Sequence, residues 1–480
     1  MKLFTITTFL CLLFISNLFA QTEEPTTSSQ LSLDQCIQIA LENNSQLKNA
    51  KRNVEIAKSG ITSSYSSILP SIDASLRRGK YHAGVSNYLT DVPVEYEQST
   101  VNREVYDINN PESVIGFIPY SVTGKPTRYE QQVIDQDSYE RESNSFNISV
   151  SQNVFDGGRW WNRIRQARSN KEASEYDREN TRQQIVLMVK EQYYNVLKQI
   201  ALLHVSEQSH QSYEEQYKKS KSMYEIGSVA QSDVYKAQAS LGTAKSNLIK
   251  QKNAVVIAKY NLNFVMGRDP RTELEIIEAA EEAEVPEIMD SQLNEIIERN
   301  PEVKALKANI DYRKFGYKIA KSGFWPSFYL GAEYSRSHSE FDRVYKDYDK
   351  NYSWYIGGGI NFNLFNGFSD KANVEIGKLN YLNAQENFLE RKRKLKAEIA
   401  EYSLKLEANK ELIETNKESL ISAKEDFRLQ SEKYRVGSGT LIEVLDARVN
   451  LTQAQSDLIS AKYDALIAQA QLEAAMGRLK

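Results

Sequence analysis

The chain of 480 residues is written twice, and the second copy constrains the first. Tyr224-Glu-Ile-Gly227-Ser228 returns as Tyr434-Arg-Val-Gly437-Ser438, Met266-Gly267-Arg268 as Met476-Gly477-Arg478, and Phe155-Asp156-Gly157 as Phe365-Asn366-Gly367, all 210 positions apart. A gapless correspondence over more than 110 residues marks a duplicated unit, to be settled before any local assignment. Upstream, Asn44, Leu47, Lys48, Pro70 and Ser71 match Asn300, Val303, Lys304, Pro326 and Ser327 at a second constant offset, 256. The change of offset, 46 residues, places an insertion between Ser71 and Phe155. Each half reads helix, strand, loop, strand, long helix, turn, helix. The expected division is a first repeat over 21–270, an acidic linker over 271–290 and a second repeat over 291–480. The densest acidic run, Glu273 to Glu287, reads as a solvated linker face.

The helices announce themselves by their period. From Val234 the small or apolar positions run Ala237, Leu241, Ala244, Leu248, then Val255, Ala258, Leu262 and Val265, in steps of three and four, with only Gln251 out of type. The same register in the second copy passes through Val444, Ala447, Leu451, Ala454, Leu458, Ala461, Ala465, Ala468, Leu472 and Ala475. These are heptad seams, and their alanines let backbones approach closely. The preceding helix repeats the spacing at Ile185, Val189, Tyr193, Val196, Ile200 and Leu203. Running from about Gly158 to Glu225, it would span roughly 100 Å at 1.5 Å per residue, longer than any compact globule needs.

Between the helices the period changes to two. Ile72, Ala74 and Leu76, then Phe146, Ile148 and Val150, then Phe328, Leu330, Ala332 and Tyr334, then Trp354, Ile356, Gly358, Ile360 and Phe362 alternate with other residues, which predicts four strands of about ten residues. Pro70 and Pro326 end the helices before strands one and three. Asp156 and Asn366 are placed to cap the helices after strands two and four. Ten alternating residues suit a strand with one face toward lipid and the other toward a lumen. Four strands cannot close a barrel, and open edges are not tolerated in lipid, so several copies must pool theirs. The competing reading is a water-soluble sheet packed on helices, which leaves the very long helices without a purpose.

Other features bound the function. Lys2 followed by an apolar stretch to Phe19 and the small Ala20 reads as a signal peptide over residues 1–20, cleaved after Ala20. The mature chain then keeps one cysteine, Cys36, and no internal disulfide. No apolar run beyond residue 20 is long enough for a membrane helix. The net charge of −4 arises from 60 basic and 64 acidic residues without a basic block, so nucleic acid is not an expected partner. The four histidines, His82, His204, His210 and His338, show no metal-binding spacing, and there is no nucleophile elbow, P-loop or dinucleotide-binding glycine pattern. No enzyme, cofactor or metal site is expected. Gly357-Gly358-Gly359 sits inside a strand pattern, where it would relieve crowding.

With the duplicated helix-turn-helix, the Val154-Phe155-Asp156-Gly157-Gly158 and Leu364-Phe365-Asn366-Gly367 junctions and the two Met-Gly-Arg ends, the chain resembles the TolC family of outer-membrane efflux proteins over nearly all its mature length. The resemblance implies a mainly α chain with membrane β: a homotrimer in the cell outer membrane, each copy giving four strands to one 12-stranded barrel, continued by an α-helical barrel in the periplasm. It implies a passive exit duct of a tripartite efflux or type I secretion system, fed by an inner-membrane pump through a periplasmic adaptor. The alternative is a periplasmic coiled-coil adaptor or a structural envelope protein, which would carry one hairpin rather than two in tandem. The exported substrate is not written in the sequence.

The same resemblance places Tyr224, Gly227, Ser228, Tyr434, Gly437 and Ser438 at the periplasmic tip, where the adaptor docks. It places Asp233, Glu443 and Asp446 at a pore constriction. Glu443 and Asp446 are three apart and share a helical face, so three copies would present two rings of carboxylates that favour cations. The alternative is that both are solvated acids near a helix start, where the dipole favours them. Some family members lock the tip with an arginine five residues after this tyrosine; here that position is Gly439. The insertion, residues 80–144, reads as a long surface loop: a lid, a docking surface, extra strands, or a plain solvated loop facing the cell exterior.

Overall fold

The computed structural model describes residues 30–277, 283–284, 290–346 and 349–479. The expected signal peptide lies outside them, as does most of the acidic linker beyond Ile277. Two compact units are present. One takes the chain up to Ser64, Gly158–Gly323 and everything from Phe365; the other takes Tyr65–Gly157 and Phe324–Leu364. Each unit draws on both repeats, so the duplication runs along the chain while the packing runs across it.

The first unit is helical: α1 Leu33–Asn43, α2 Ser45–Ser64, α3 Arg159–Glu225, α4 Gln231–Val265, α5 Asp290–Arg299, α6 Pro301–Lys321, α7 Ser369–Arg435 and α8 Leu441–Ala475. Helices α3 and α7 have 67 residues each, about 100 Å of rise. Among the described residues no helix is long and apolar enough to cross a membrane. Two buried clusters obey the repeat: Ile185, Val189, Val196 and Leu262 in one stand where Leu395, Ile399, Leu406 and Leu472 stand in the other. Asn44 and Asn300 share one task. Each side-chain oxygen accepts a backbone N–H of the helix it begins, from Gln46 at 2.8 Å and Glu302 at 2.9 Å. Each side-chain nitrogen donates to the end of the last helix of its repeat, at Val265 (2.9 Å) and Ala475 (3.1 Å). Buried amides satisfied on both sides in this way fix register as well as stability.

The seams lie where their period put them, with one exception. Ala237, Ala244, Val255, Ala258 and Leu262 of α4 are buried, and so are Val444, Ala447, Leu451, Ala454, Ala461, Ala465, Ala468, Leu472 and Ala475 of α8. The odd Gln251 donates to the carbonyl and side-chain oxygens of Gln199 on α3, so its polarity is used at the seam. Ile200, expected on the α3 seam, is exposed, and Val205 is buried nearby instead. Helix α3 packs on α2, α4, α6 and α8 at once, and no single 3–4 stripe describes a helix with so many neighbours. The expected cap at Asp156 is also corrected. Asp156 ends a strand, and the N-cap of α3 is Gly158 in the left-handed region with no side-chain cap. At the matching site Asn366 accepts the Asp370 N–H at a long 3.4 Å.

The second unit is β: β1 Ser71–Ala83, β2 Ser86–Asp107, β3 Asn110–Gln136, β4 Tyr139–Asp156, β5 Ser327–His338 and β6 Tyr352–Asn361. Strands β1-β4-β5-β6 form an antiparallel sheet, and β2-β3 a separate two-stranded ribbon. The expected loop over 80–144 is therefore not a loop. Its ends lengthen β1 and β4 and its middle is the ribbon, the outcome that its many Tyr, Val and Ile residues, strand formers by composition, favour once two strands can pair.

Candidate functional site

Pairing in register puts residues directly opposite one another on the same face, and the four-stranded sheet sorts cleanly. Ile72, Val150, Ala332 and Ile356 form one cross-strand row, and Ala74, Ile148, Tyr334 and Trp354 the next. On the other face lie the rows Asp73, Ser149, Glu333, Tyr355 and Ser75, Asn147, Ser335, Ser353. The apolar face is bare: Ile72 is 71% exposed, Ile356 72% and Trp354 67%. The polar face is tied by serine pairs, Ser71 to Ser151 at 2.8 Å and Ser335 to Ser353 at 2.7 Å. The three consecutive glycines make room as expected: a Cβ on Gly358 would meet the Leu330 side chain at 2.7 Å and one on Gly359 the Tyr329 ring at 2.6 Å. Arg336 falls on the apolar side yet is buried, because its guanidinium donates to the carbonyls of Lys346 (2.7 Å) and Lys350 (3.3 Å) in the β5–β6 connection. The outer edges of β1 and β6 pair with no other described strand.

In the helical unit, both hairpin turns close by one backbone device. Gly227 and Gly437 take φ of 75°, which a side chain disfavours. Ser228 N–H bonds the Met223 carbonyl at 2.8 Å and Ser438 N–H the Lys433 carbonyl at 2.9 Å, reaching back over the last helical turn. That is why the repeated Tyr-x-x-Gly-Ser motif exists. Gly439 is held to glycine by space and not by φ: a Cβ there would sit 2.9 Å from the Lys433 Cβ, so a longer side chain, the arginine of the expected lock included, is not accommodated on this backbone.

The side chains around the turns diverge. Tyr434 is 4% exposed and packs with Ala237, Leu441 and Val444, whereas Tyr224 is 41% exposed. The Lys219 ammonium lies 5.3 Å from the Tyr434 ring centre. Nearby, the Arg448 guanidinium donates to the Gln208 carbonyl at 3.0 Å and covers the Phe427 ring at 4.8 Å. Burial pulls its pKa below the usual arginine value. Glu443 is committed to a capping box. Its carboxylate accepts the Thr440 N–H at 2.7 Å, and its own N–H donates to the Thr440 hydroxyl at 3.3 Å. The carboxylate also accepts the Thr440 hydroxyl at 3.0 Å, and these two donors, the backbone first, hold its pKa below the ordinary glutamate value. Asp446 is exposed one turn further. Asp233, in the place of Glu443, forms an ion pair with Lys236 at 3.6 Å, and Lys236 stands in the place of Asp446. The Thr440-x-x-Glu443 spacing is the signature by which the sequence alone could show this cap; no local pattern points to Lys219 or Arg448. Cys36 is fully buried, and burial raises its thiol pKa to about 11, so it is a poor nucleophile.

The profile of the outer membrane efflux protein family matches residues 36–268 and 292–478, the two repeats one after the other. The chain belongs to that family. Among curated proteins, this efflux protein is 22% identical to the outer membrane protein TolC of Escherichia coli over 80% of each chain. It is 24% identical to the outer membrane efflux protein BepC of Brucella suis, over 71% of this chain and 73% of that one. Among solved structures, the CmeC outer membrane channel of Campylobacter jejuni aligns with a TM-score of 0.73 at 19% identity, covering 95% of this chain and 90% of the other. The Neisseria gonorrhoeae MtrE channel aligns at 0.70 and 18%, covering 93% and 88%. The efflux protein is thus an outer-membrane channel component with the fold of these channels, and its family is one of channels, not of enzymes. Membership replaces the alternative of a periplasmic adaptor.

Proposed function

We propose that three copies pool their strands into one 12-stranded barrel, and their helices into a periplasmic tunnel, forming the passive exit duct of a tripartite efflux or type I secretion system. The observation that carries this is the sheet: one face bare and apolar, the other lined with Ser, Asp, Glu and Tyr, and two open edges. An open edge in lipid leaves backbone groups unpaired at several kcal/mol each, and closure by further copies removes it. An inner-membrane pump feeds the duct through a periplasmic adaptor that docks at the turns around Tyr224, Gly227, Ser228, Gly437 and Ser438. Of the two tyrosines, exposed Tyr224 is the one free to meet an adaptor; Tyr434 is spent on packing.

The constriction is formed by Glu443 and Asp446 of each copy. Asp233 adds little, because Lys236 neutralises it. Replacing Glu443→Gln and Asp446→Asn keeps the capping acceptor while removing the charge. Native mass measurement of detergent-solubilised protein gives a trimer for both wild type and variant, and in planar bilayers the variant loses most of the cation selectivity. A conducting monomer or dimer refutes the pooled barrel. An intact trimer with unchanged selectivity refutes the ring and leaves the barrel standing.

A further inference from the structure

The β2–β3 ribbon has no counterpart in the second repeat. Its pairing is the direct continuation of β1 and β4: the register runs unbroken from Ser71 opposite Ser151 to Pro93 opposite Tyr129, across the short gaps at 84–85 and 137–138. Strand β5 leaves β4 at Asn144. From Gly79 to Asp107, 29 residues, two strands therefore stand without a third among the described residues, about 95 Å at 3.3 Å per residue. Two strands alone are marginal in water and need a cover on any apolar face.

Register shifts between Pro93 and Gln98 divide the ribbon into a stem and a distal part, and bulges of this kind bend a strand pair. The distal part is two-faced. Ser99 and Val122, Val101 and Tyr120, Arg103 and Ile118, Val105 and Gly116 are opposite one another on one side. Gln98 and Thr123, Thr100 and Ser121, Asn102 and Pro119, Glu104 and Phe117 share the other. The first side is apolar around Arg103, and Ile118 on it is 60% exposed. The free edges are unsuited to receiving another strand, since Pro93, Pro119 and Pro126 have no N–H to offer. What covers the ribbon therefore meets its face.

We propose that the cover is the same face of the other copies. The distal ribbons of one assembly converge above the membrane, apolar sides inward, into a closed extracellular crown over the channel mouth. This rests on the pooled barrel, from whose rim three ribbons rise together and meet at high effective concentration. Charge supports identical partners. Arg103 makes no ion pair with its own chain among the described residues, while the end of the same ribbon carries the acids Asp107 and Glu112, which a neighbouring copy brings near it; Glu104 lies on the opposite face. An anionic lipid surface would meet this acidic excess with repulsion.

Val101→Cys and Thr100→Cys, one on each face, test the crown in the mature detergent-solubilised protein, from which Cys11 is removed with the expected signal peptide. Cys36 is buried and does not compete. With a short bis-maleimide, Val101→Cys should yield cross-linked copies about tenfold more readily than Thr100→Cys, as tethered, face-specific contact requires. Native mass of the same samples separates the two ideas: loss of the trimer refutes the pooled barrel. An intact trimer that cross-links at neither site, or equally at both, overturns the crown and leaves the apolar face to a foreign partner.

Discussion

The turns that close α3 on α4 and α7 on α8 share a backbone and differ in almost every side-chain task. Both use a glycine at φ 75° and the same reach-back bonds. In the second turn Tyr434 is buried, Thr440 and Glu443 cap each other, and Glu443 and Asp446 leave an acidic surface. In the first, Tyr224 is exposed, the N-cap is Ala230 with no side-chain bond, and Asp233 and Lys236 neutralise each other. Duplication preserved the residues that bend the chain and released those that decorate it. The second turn is held by packing and a cap, and the first is left exposed.

The largest test of that contrast is at the tyrosines. Tyr434→Ala empties a packed site between the two hairpins and should cost about 3–5 kcal/mol of local stability, the range for deleting a buried aromatic. Tyr224→Ala should stay within about 0.5 kcal/mol, as an exposed substitution does. Hydrogen exchange at the turn amides of the assembled protein measures both. Tyr434→Phe sharpens the point, because the Tyr434 hydroxyl is buried without a hydrogen-bond partner among the described residues. Removing it should be neutral or slightly stabilising. A loss of about 1 kcal/mol would show that a neighbouring copy supplies a partner.

What was legible in the sequence follows the same line. Positions fixed by period or backbone geometry could be read: the seams through Ala447 and Ala258, the glycines of the turns and the alternation that sets Ile356 against Tyr355; the prolines could not, since α2 ends at Ser64 and α6 at Lys321, each followed by a 3-10 turn ahead of Pro70 or Pro326. Positions fixed by neighbours distant in sequence could not. Tyr224 and Tyr434 look alike, and only the neighbours that the other hairpin sets against Tyr434, Ala237 with Tyr217 and Met223, separate them. Ile200 has the right spacing and the wrong neighbours. The 80–144 segment alternates too irregularly to reveal strands, because its two halves are broken by bulges at Pro93 to Gln98. The carboxylates illustrate both sides: helical spacing placed Glu443 and Asp446 on one face, but not the bond that ties Glu443 to Thr440.

The caps provide a smaller, two-way test. Thr440→Ala removes the acceptor for the Glu443 N–H and should cost about 1 kcal/mol of α8 stability. Ala230→Thr at the start of α4 should recover a comparable fraction, since Ala230 already has the extended backbone of an N-cap, φ −78° and ψ 153°, with Asp233 three residues on. If grafting the threonine changes nothing while its removal from α8 does, the difference between the turns lies in packing and not in the cap.

The smallest effect is also the most specific. The Thr440 N–H and hydroxyl hold the Glu443 carboxyl below its usual pKa. A group whose folded-state pKa is depressed adds stability above its unfolded value, about 4.3 for glutamate, and loses it as pH falls through the folded value. The start of α8 should therefore exchange its amides faster, relative to the intrinsic rate, as pH drops from neutral into the acid range below that value. The start of α4, which has no capping box, is the internal reference. Glu443→Gln keeps a side-chain acceptor for the Thr440 N–H and removes the titration, so its α8 protection should be flat over the same range. A pH dependence that survives in Glu443→Gln would belong to Asp446 or to repulsion between copies, and would move the acidic character of this tip from the cap to the ring.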